Sequence, residues 1–199
     1  MGKVTWRGGA LIAPLPPTMV SCGDMENSNI ITIGWTGILN TIPPKTYISV
    51  RPTRHSHAMI KEGGEFVINL TPGSLVKAAD YCGIYTGKKV DKFEKCKLTK
   101  SPATQVACPI IEECPINIEC RVTEVISLGS HDMFMADILC VNVDEELIDK
   151  DGKLRLDKAD LVAYAHGEYF QLGKKIGKFG FSTNKKKKNG NKKSQNHSS

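Results

Sequence analysis

The 199-residue sequence lacks any apolar stretch approaching the roughly 20 residues that a membrane-spanning helix requires. Its first twenty residues contain Arg7, Pro14, Pro16 and Pro17, which interrupt the apolar segment that a secretory leader needs. Hydrophobic residues make up 40% and charged residues 24% of the chain, which is ordinary for a globular protein of one domain. We therefore expect a cytoplasmic protein with no membrane partner.

Several motifs of nucleotide-dependent and metal-dependent enzymes are also missing. No GxGxxG, P-loop or HExxH motif occurs, so a dinucleotide-binding Rossmann unit is not supported. The seven cysteines, at positions 22, 82, 96, 108, 114, 120 and 140, include no CxxC pair. An odd number of cysteines without a secretory leader indicates reduced thiols. A zinc site at Cys108, Cys114 and Cys120 is the alternative, but their six-residue spacing is not that of a zinc knuckle, and we predict no metal.

Acidic residues are absent after Glu168, although nine of the 27 lysines and arginines lie there. Residues 1–173 hold 18 basic and 21 acidic residues, a net charge of −3, whereas the whole chain carries +6. This charge distribution argues against specific nucleic-acid binding by the folded part. Residues 182–199 contain no hydrophobic side chain, so we predict one domain over residues 1–181 and a disordered Lys-rich tail over 182–199. The tail either binds polyanions or is a solubilising extension, and the second interpretation is favoured.

Short apolar stretches rich in β-branched residues alternate with Gly, Pro and Asn. This pattern predicts strands at residues 10–13, 18–21, 29–35, 47–51, 65–70, 116–127 and 133–143, the last two forming a hairpin around Gly129. Helices are predicted at residues 53–62, after a cap at Ser74, and as a short turn at 159–165. Because long helices do not separate the strands, we predict a mainly β fold, an antiparallel barrel with short helices packed outside.

The segment Ser49–Ser56 concentrates hydrogen-bond donors where a predicted strand ends and a predicted helix begins. It contains two arginines, one histidine and three hydroxyl groups. Guanidinium groups, hydroxyls and helix N-terminal amides bind phosphate dianions well. The segment is therefore either a phosphate site or a solvated basic corner, and both interpretations remain open.

Three other segments contain polar or glycine-rich clusters. These are residues 29–35, with Asn29 and Trp35, residues 80–93, with Cys82-Gly83, and residues 128–134, with His131. Each also has a plain structural interpretation, as a core strand, a surface loop and an exposed hairpin end. Cys82 has no CxxC partner, so a buried structural thiol is favoured over a redox role.

Together these segments resemble the flavin reductase-like family with an FMN-binding split barrel, and within it the flavoredoxin branch. The resemblance extends from about residue 4 to residue 181 through eight short motifs in the family's order. They are Asn29-x-x-Thr32-x-x-Trp35, Pro43-Pro44, Ser49-x-Arg51-x-x-Arg54-x-Ser56, Gly64-Glu65-Phe66-Val67-Ile68-Asn69-Leu70, Asp80-Tyr81-Cys82-Gly83, Asp91-Lys92-Phe93, Leu128-Gly129-Ser130-His131-x-x-Phe134 and Tyr169-Phe170-x-Leu172-Gly173. Each motif alone is weak, and the order and spacing of all eight make the resemblance specific.

The resemblance implies a split antiparallel barrel that forms a homodimer with FMN near the subunit interface. It implies an oxidoreductase, an NAD(P)H-dependent flavin reductase that passes hydride or electrons between NAD(P)H, FMN and an acceptor. A flavoredoxin-type electron carrier with a protein redox partner and little NAD(P)H turnover is the alternative. Pyridoxamine-phosphate oxidase, from the same barrel class, is less favoured. The sequence offers no catalytic triad or paired acid and base, so we predict no catalytic side chain.

Carried over residue by residue, the resemblance implies four groups of cofactor-binding residues. Those along the flavin ring are Asn29, Ile30, Thr32, Trp35, Ser49, Val50, Asn69 and Leu70. Those for the phosphate are Arg51, Arg54 and Ser56. The loop that closes over the flavin contributes Cys82, Gly83, Asp91, Lys92 and Phe93. His131 lies on the nicotinamide or substrate side of the flavin ring, and Tyr169 and Phe170 close the far side of the ring.

Overall fold

The computed structural model describes residues 1–183, so residues 184–199, most of the predicted tail, lie outside the described residues. Its strands are β1 (Thr18–Gly23), β2 (Ser28–Ile33), β3 (Thr36–Thr41), β4 (Pro44–Val50), β5 (Glu65–Asn69), β6 (Lys100–Ser101), β7 (Ile110–Ile111), β8 (Ile116–Ser127), β9 (Asp132–Val143), β10 (Val162–Ala165) and β11 (Glu168–Gln171). The α-helices are α1 (His55–Gly63), α2 (Val76–Ile84) and α3 (Lys92–Cys96). Among residues 1–183, no helix has the length and apolarity needed to cross a membrane.

The main sheet contains seven strands in the order β2-β1-β5-β8-β9-β4-β3, with every neighbouring pair antiparallel. Strands β2 and β3 are its opposite edges, yet only Gly34 and Trp35 separate them along the chain. The last residue of β2 and the first of β3 can therefore lie at most about 11 Å apart, so the two edges must come together and the sheet must curl into a barrel. The structure therefore confirms the mainly β split-barrel fold, and the split lies where β2 passes into β3.

The core follows the two-residue alternation of the strands. In β1, Val20 and Cys22 face the barrel interior, where they pack with Phe66, Phe134 and other apolar side chains. Met19 faces the opposite side and packs in a second cluster beneath α2 and α3. Burying each large apolar side chain stabilises the fold by about 1.5–3 kcal/mol. The helices thus cover the outer face of β1 and β2.

Helix α1 covers one end of the barrel and places its N-terminus beside the split. Ile60 is fully buried in the interior cluster, which anchors the helix. The helix ends at Gly64, whose φ of 68° is left-handed and whose amide donates to the Ile60 carbonyl. Glycine adopts this conformation without steric cost, so the Gly63-Gly64 pair ends the helix.

Three local predictions were wrong. Residues 10–13 form no strand, because the prolines at 14, 16 and 17 remove backbone donors, and the first strand begins at Thr18. Ser74 does not cap α2; it lies in a 3-10 turn, Gly73–Leu75, that precedes the helix. The segment predicted as a helical turn at 159–165 contains β10, which is stabilised by pairing with β11. Strand β3 and helix α3 were missed because neither has a complete hydrophobic repeat.

Candidate functional site

A cleft at the split of the barrel consists of two adjoining cavities of about 390 and 500 Å³. Both cavities are lined by Ile31, Arg51 and Arg54, so they meet at these residues. Their sizes are in the range of small-molecule sites in proteins, about 300–1,000 Å³. We call the smaller one the aromatic cavity and the larger one the basic cavity, after their lining residues.

The basic cavity is formed mainly by the end of β4 and the first turn of α1. Its lining includes the cationic or ionisable side chains of Arg51, Arg54, His55 and Lys92 and the hydroxyls of Thr53, Ser56 and Thr86. None of the described residues that line it is acidic. The first amides of a helix lack intrahelical partners and carry partial positive charge. The cavity therefore combines the donors and the charge that suit a phosphate dianion.

His55 adds to this environment without requiring a charge of its own. Burial, together with the nearby Lys88 and Lys92 cations, lowers the pKa of His55 below its ordinary value. A lowered pKa keeps the imidazole mostly neutral at pH 7. At neutral pH, Arg51, Arg54 and Lys92 therefore supply the positive charge.

One wall of the basic cavity is a close contact between a strand and a loop. The Asn29 amide Nδ2 donates to Ser56 Oγ at 2.8 Å, which joins β2 to α1. The loop after α2 passes directly over Asn29 at Gly87, where an added Cβ would lie 2.2 Å from Asn29 Oδ1. Only glycine allows so close an approach. The backbone of the loop therefore lies directly against the Asn29 side chain at the cavity wall.

Lys92 connects the elements behind the same wall. Its side chain is 3% exposed, and its ammonium donates to the carbonyls of Ile30 at 2.6 Å and Cys82 at 2.8 Å. Burial lowers the pKa of Lys92 below its ordinary value, while the neighbouring thiol of Cys82 acts in the opposite direction. Lys92 therefore joins β2 to α2 and places an ammonium group at the cavity wall.

The aromatic cavity is bordered by the rings of Trp35, His131, Tyr164 and Tyr169. The Trp35 and His131 rings lie 4.5 Å apart between centroids, inclined at 44°. The His131 Nδ1 atom is 2.9 Å from Ser130 Oγ. Burial and the Arg51 cation lower the pKa of His131, so this ring is mostly neutral at pH 7. The cavity can hold a flat ring between aromatic and aliphatic walls.

The hairpin of β10 and β11 closes the outer side of the aromatic cavity. Tyr164 and Tyr169 pack edge to face, with ring centroids 5.3 Å apart. The Tyr169 hydroxyl donates to Asp80 Oδ1 on α2 at 3.2 Å. Burial and the Asp80 carboxylate raise the pKa of Tyr169 to about 12, so the phenol stays protonated. Leu15 holds the hairpin from the other side through two backbone hydrogen bonds with Tyr164 of 2.8 Å each.

The structure brings most of the predicted site residues to this cleft. The predicted residues that line one cavity or both are Asn29, Thr32, Trp35, Ser49, Val50, Arg51, Arg54, Ser56, Cys82, Gly83, Lys92, His131 and Tyr169. They come from β2, β4, α1, α2, α3, the β8–β9 turn and β11, which are far apart in sequence. Residues 51–54 are solvent-exposed in the single chain, so this segment is a solvated basic corner that also borders the cleft.

Six predicted residues lie away from the cleft of this chain. Ile30 points into the cluster beneath α2, because alternation along β2 gives the cleft Ile31 instead. Leu70 packs between core clusters, and Phe93 is buried beneath α3. Asp91 caps α3 by accepting from the Glu94 amide, and Phe170 is 48% exposed on the outer side of β11.

Asn69, the sixth of these residues, belongs to a buried polar network. Its amide Nδ2 donates to the Met19 carbonyl at 2.9 Å and to Ser21 Oγ at 3.0 Å. Its Oδ1 accepts from Asn117 at 2.8 Å. With donors and acceptor satisfied inside the protein, Asn69 holds the strands together rather than facing the cleft.

Sequence reasoning missed several residues that line the cleft. They are Leu15, Pro17, Ile31, Ile33, Gly34, Ile84, Tyr85, Thr86, Gly87 and Tyr164. For Ile31 and Ile33, strand alternation shows that the two share one side of β2 but not that this side faces the cleft. For Leu15 and Tyr164 no signal existed, because only tertiary folding brings residues so distant in sequence together.

Five of the seven cysteines are buried, and Cys96 and Cys140 are partly exposed. Cys82 is fully buried, and burial raises the pKa of its thiol to about 12. Cys108, Cys114 and Cys120 are likewise free and buried. Among residues 1–183, no group of three or more His, Cys, Asp or Glu side chains is arranged to hold a metal ion.

Comparisons with known proteins agree with this fold. The flavin reductase like domain matches residues 12–173. The solved structure of a flavoredoxin of Desulfovibrio vulgaris (Miyazaki F) superposes with a TM-score of 0.85 at 31% identity, covering 92% of this chain and 100% of that one. The solved structure of a flavoredoxin from Methanosarcina acetivorans superposes with a TM-score of 0.82 at 26% identity, covering 92% of this chain and 97% of that one. An uncharacterized protein of Archaeoglobus fulgidus is 32% identical over 157 residues, 79% of this chain and 87% of that protein.

Proposed function

The chain belongs to the flavin reductase-like family, and from this premise we propose that it binds FMN in the cleft and acts as an oxidoreductase. In this proposal it is an NAD(P)H-dependent flavin reductase, passing hydride or electrons between NAD(P)H, FMN and an acceptor. The observation that carries the proposal is the junction of a basic cavity, without acidic lining residues, and an aromatic cavity.

The residues present fit FMN in chemistry and arrangement. FMN has a phosphate dianion at one end and a flat ring system at the other. Arg51, Arg54, Ser56 and the first turn of α1 offer charge-assisted donors to the phosphate. The aromatic cavity, which begins on the other side of the two arginines, offers Trp35 and other flat walls to the ring. FMN also explains why the two cavities are joined.

The chain's own residues would bind and orient the cofactor. Thr32 is held by a 2.5 Å hydrogen bond from its hydroxyl to the Ala79 carbonyl, which fixes the strand against α2. The neutral His131 ring, whose centroid lies 4.5 Å from that of Trp35, gives a polar contact without a charge at pH 7. Arg51 and Arg54 favour negative charge on a bound ligand. When bound, FMN supplies the redox chemistry itself, by exchanging hydride or electrons with its partners.

A second candidate function is that of a flavoredoxin-type electron carrier with a protein redox partner. The two flavoredoxins, at 31% and 26% identity and over 92% of the chain, favour it. A carrier needs the same FMN site but little NAD(P)H turnover. The two functions therefore differ in the electron donor and not in the cleft.

We also propose that the protein is a cytoplasmic homodimer. In the single chain, apolar side chains at the edge of the sheet are solvent-exposed, with Ile38 66% and Ile42 89% exposed. Exposed apolar side chains that cluster on one surface are typical of protein interfaces. Because β3 follows the split directly, such an interface would lie near the cleft.

The absorbance spectrum of the purified protein tests the reductase and carrier proposals. The released flavin is identified, and NADH and NADPH are then added without oxygen. Bound FMN that bleaches quickly supports the reductase, and bound FMN that stays oxidised supports the carrier. A colourless protein that takes up no added FMN contradicts both.

A further inference from the structure

Beneath the cleft, a buried polar pair joins α1 to the first residue of β9. His57 Nε2 lies 2.8 Å from Asp132 Oδ2, and the two residues are 7% and 8% exposed. The His57 ring also packs edge-on against Phe134, with centroids 5.1 Å apart. Because burying polar groups is costly unless they are paired, each side chain holds the other in one arrangement. Neither residue lines the cleft.

The neighbours of this pair, however, line both cavities. Asp132 follows His131, which borders the aromatic cavity, and is paired with Val50 in the ladder between β4 and β9. Val50 itself precedes the first arginine of the cleft. His57 follows Ser56 in the first turn of α1, which borders the basic cavity. One hydrogen bond thus connects the three segments that carry the phosphate donors and the His131 ring.

We propose that His57 and Asp132 are positioning residues whose bond fixes the first turn of α1 relative to His131, so that the cleft selects flavins that carry a 5′-phosphate. This inference rests on the proposed FMN site. The bond acts mainly on the phosphate-binding turn, because His57 belongs to that turn. Loss of the bond should therefore weaken the binding of a flavin with a phosphate more than the binding of a flavin without one.

The pair acts through geometry rather than through charge at the cleft. Hydrogen bonding to His57 holds the pKa of Asp132 below its ordinary value, so the carboxylate is ionised at neutral pH. The lowered pKa of His131, in contrast, arises from burial and Arg51. Asp132 thus influences the neighbouring His131 through backbone position.

Binding constants for FMN and riboflavin test the proposal in Asp132→Ala and Asp132→Asn. The alanine variant should bind FMN about tenfold more weakly, with riboflavin changed about twofold at most. Asparagine keeps an oxygen that accepts from His57, so Asp132→Asn should restore the preference for FMN. Asp137→Asn, on the same strand but paired with Lys45, is the matched control and should change neither constant. Equal weakening of both flavins by Asp132→Ala, or no restoration by asparagine, would overturn the proposal.

A readout without flavin keeps this inference separate from the FMN proposal. The chain has two tryptophans, so in a Trp6→Phe background the emission reports Trp35 alone. A protonated imidazole quenches an adjacent indole, so acid titration of His131 should quench Trp35 in the apoprotein. Asp132→Ala should reduce this quenching and Asp132→Asn should retain it. Unchanged quenching in Asp132→Ala refutes the positioning role, whereas absence of FMN binding by the unmodified protein refutes the proposed function.

A double variant covers the case in which Asp132→Ala does not fold. His57→Leu with Asp132→Asn breaks the same bond and leaves a neutral amide instead of an isolated buried carboxylate, which is less costly. This double variant should show the same selective loss of affinity for FMN and the same reduced quenching of Trp35 fluorescence. Wild-type behaviour in both measurements would overturn the proposal.

Discussion

Gly87 and Asn29 approach each other so closely that a Cβ on Gly87 would lie 2.2 Å from Asn29 Oδ1 and 2.5 Å from its Cγ. The same Asn29 side chain donates to Ser56 Oγ at 2.8 Å, and Ser56 borders the basic cavity. The backbone at Gly87 therefore lies against the asparagine side chain that joins β2 to the first turn of α1. The relationship links backbone conformation in the loop to the geometry of the proposed phosphate site.

Replacing Gly87 with alanine should displace Asn29 and break its bond to Ser56. We expect Gly87→Ala to weaken FMN binding by about 1–3 kcal/mol, measured by fluorescence titration of the flavin. Gly63→Ala is the control, because the residue is helical and, apart from its chain neighbours and its own helix backbone, no atom lies within 4 Å of the position that the new methyl group would take. Unchanged FMN affinity in Gly87→Ala would show that the contact does not shape the site.

Removing either cleft arginine should separate phosphate binding from ring binding. Arg51→Ala and Arg54→Ala should each weaken FMN binding by about 1.5–3 kcal/mol, the range for a charge-assisted hydrogen bond. Riboflavin binding should change much less. Isothermal titration with both flavins measures the difference. Arg121→Ala removes an arginine paired with Glu65 outside the cleft and should affect neither flavin. Equal losses for both flavins would mean that the cleft arginines support folding instead.

Loss of the Lys92 ammonium should destabilise the fold. In Lys92→Met the carbonyls of Ile30 and Cys82 lose a buried donor, so the free energy of unfolding should fall by about 2–4 kcal/mol. Chemical denaturation measures the change. Lys95→Met, on an exposed position of the same helix, should leave stability within about 0.5 kcal/mol. Equal effects of the two substitutions would contradict the assigned role of Lys92.

Alkaline pH should destabilise the protein through its buried thiols. Burial raises the pKa of Cys22 to about 11 and of Cys108 to about 12, from a value of 9.0 in the unfolded chain. Their stabilising contribution is complete below pH 9 and is lost as pH rises from 9 toward the folded-state values, because only the unfolded chain then releases the protons. Denaturation in reducing buffer should show a loss of about 1 kcal/mol per thiol at pH 10. Cys108→Ala should lessen this slope, and a flat profile between pH 8 and about 10 would contradict the argument.

The Lys-rich C-terminal residues should not be needed for flavin binding. Deleting residues 182–199 removes no residue that lines either cavity, so FMN affinity and the melting temperature should stay unchanged. A gel-shift assay with polyanions compares the full chain with the deletion variant. Loss of polyanion binding alone would support a role for the tail, and loss of FMN binding would contradict the predicted domain boundary.

The strands with two-residue alternation were predictable because burial of one face leaves a direct signal in the sequence. Residues 116–127 and the hairpin around Gly129 are the clearest examples, and β8 and β9 have nearly the predicted bounds. Short elements gave no such signal. Strand β10, with two alanines in four residues, is specified by its pairing with β11 and not by local preference.

In the candidate site, too, some residues were recognisable from the sequence and others were revealed only by the folded structure. The donors of residues 49–56 were recognisable, because two arginines and hydroxyls before a helix have a known affinity for phosphate. The sequence could not show whether Ile30 or Ile31 faces the cleft, since that depends on which side of β2 meets α2. Nor could it show the contact between Gly87 and Asn29, because the two residues meet only in the folded chain.

The sequence by itself determined the mainly β class, the long β8–β9 hairpin, the basic segment before α1 and, through eight ordered motifs, the family. These features depend on local periodicity, residue chemistry and spacing, which are present before folding. Tertiary structure decided that the sheet closes between β2 and β3, that the hairpin carrying Tyr164 covers the cleft, and that His57 meets Asp132. These outcomes depend on packing between distant segments, whose geometry is fixed only when the whole core is buried.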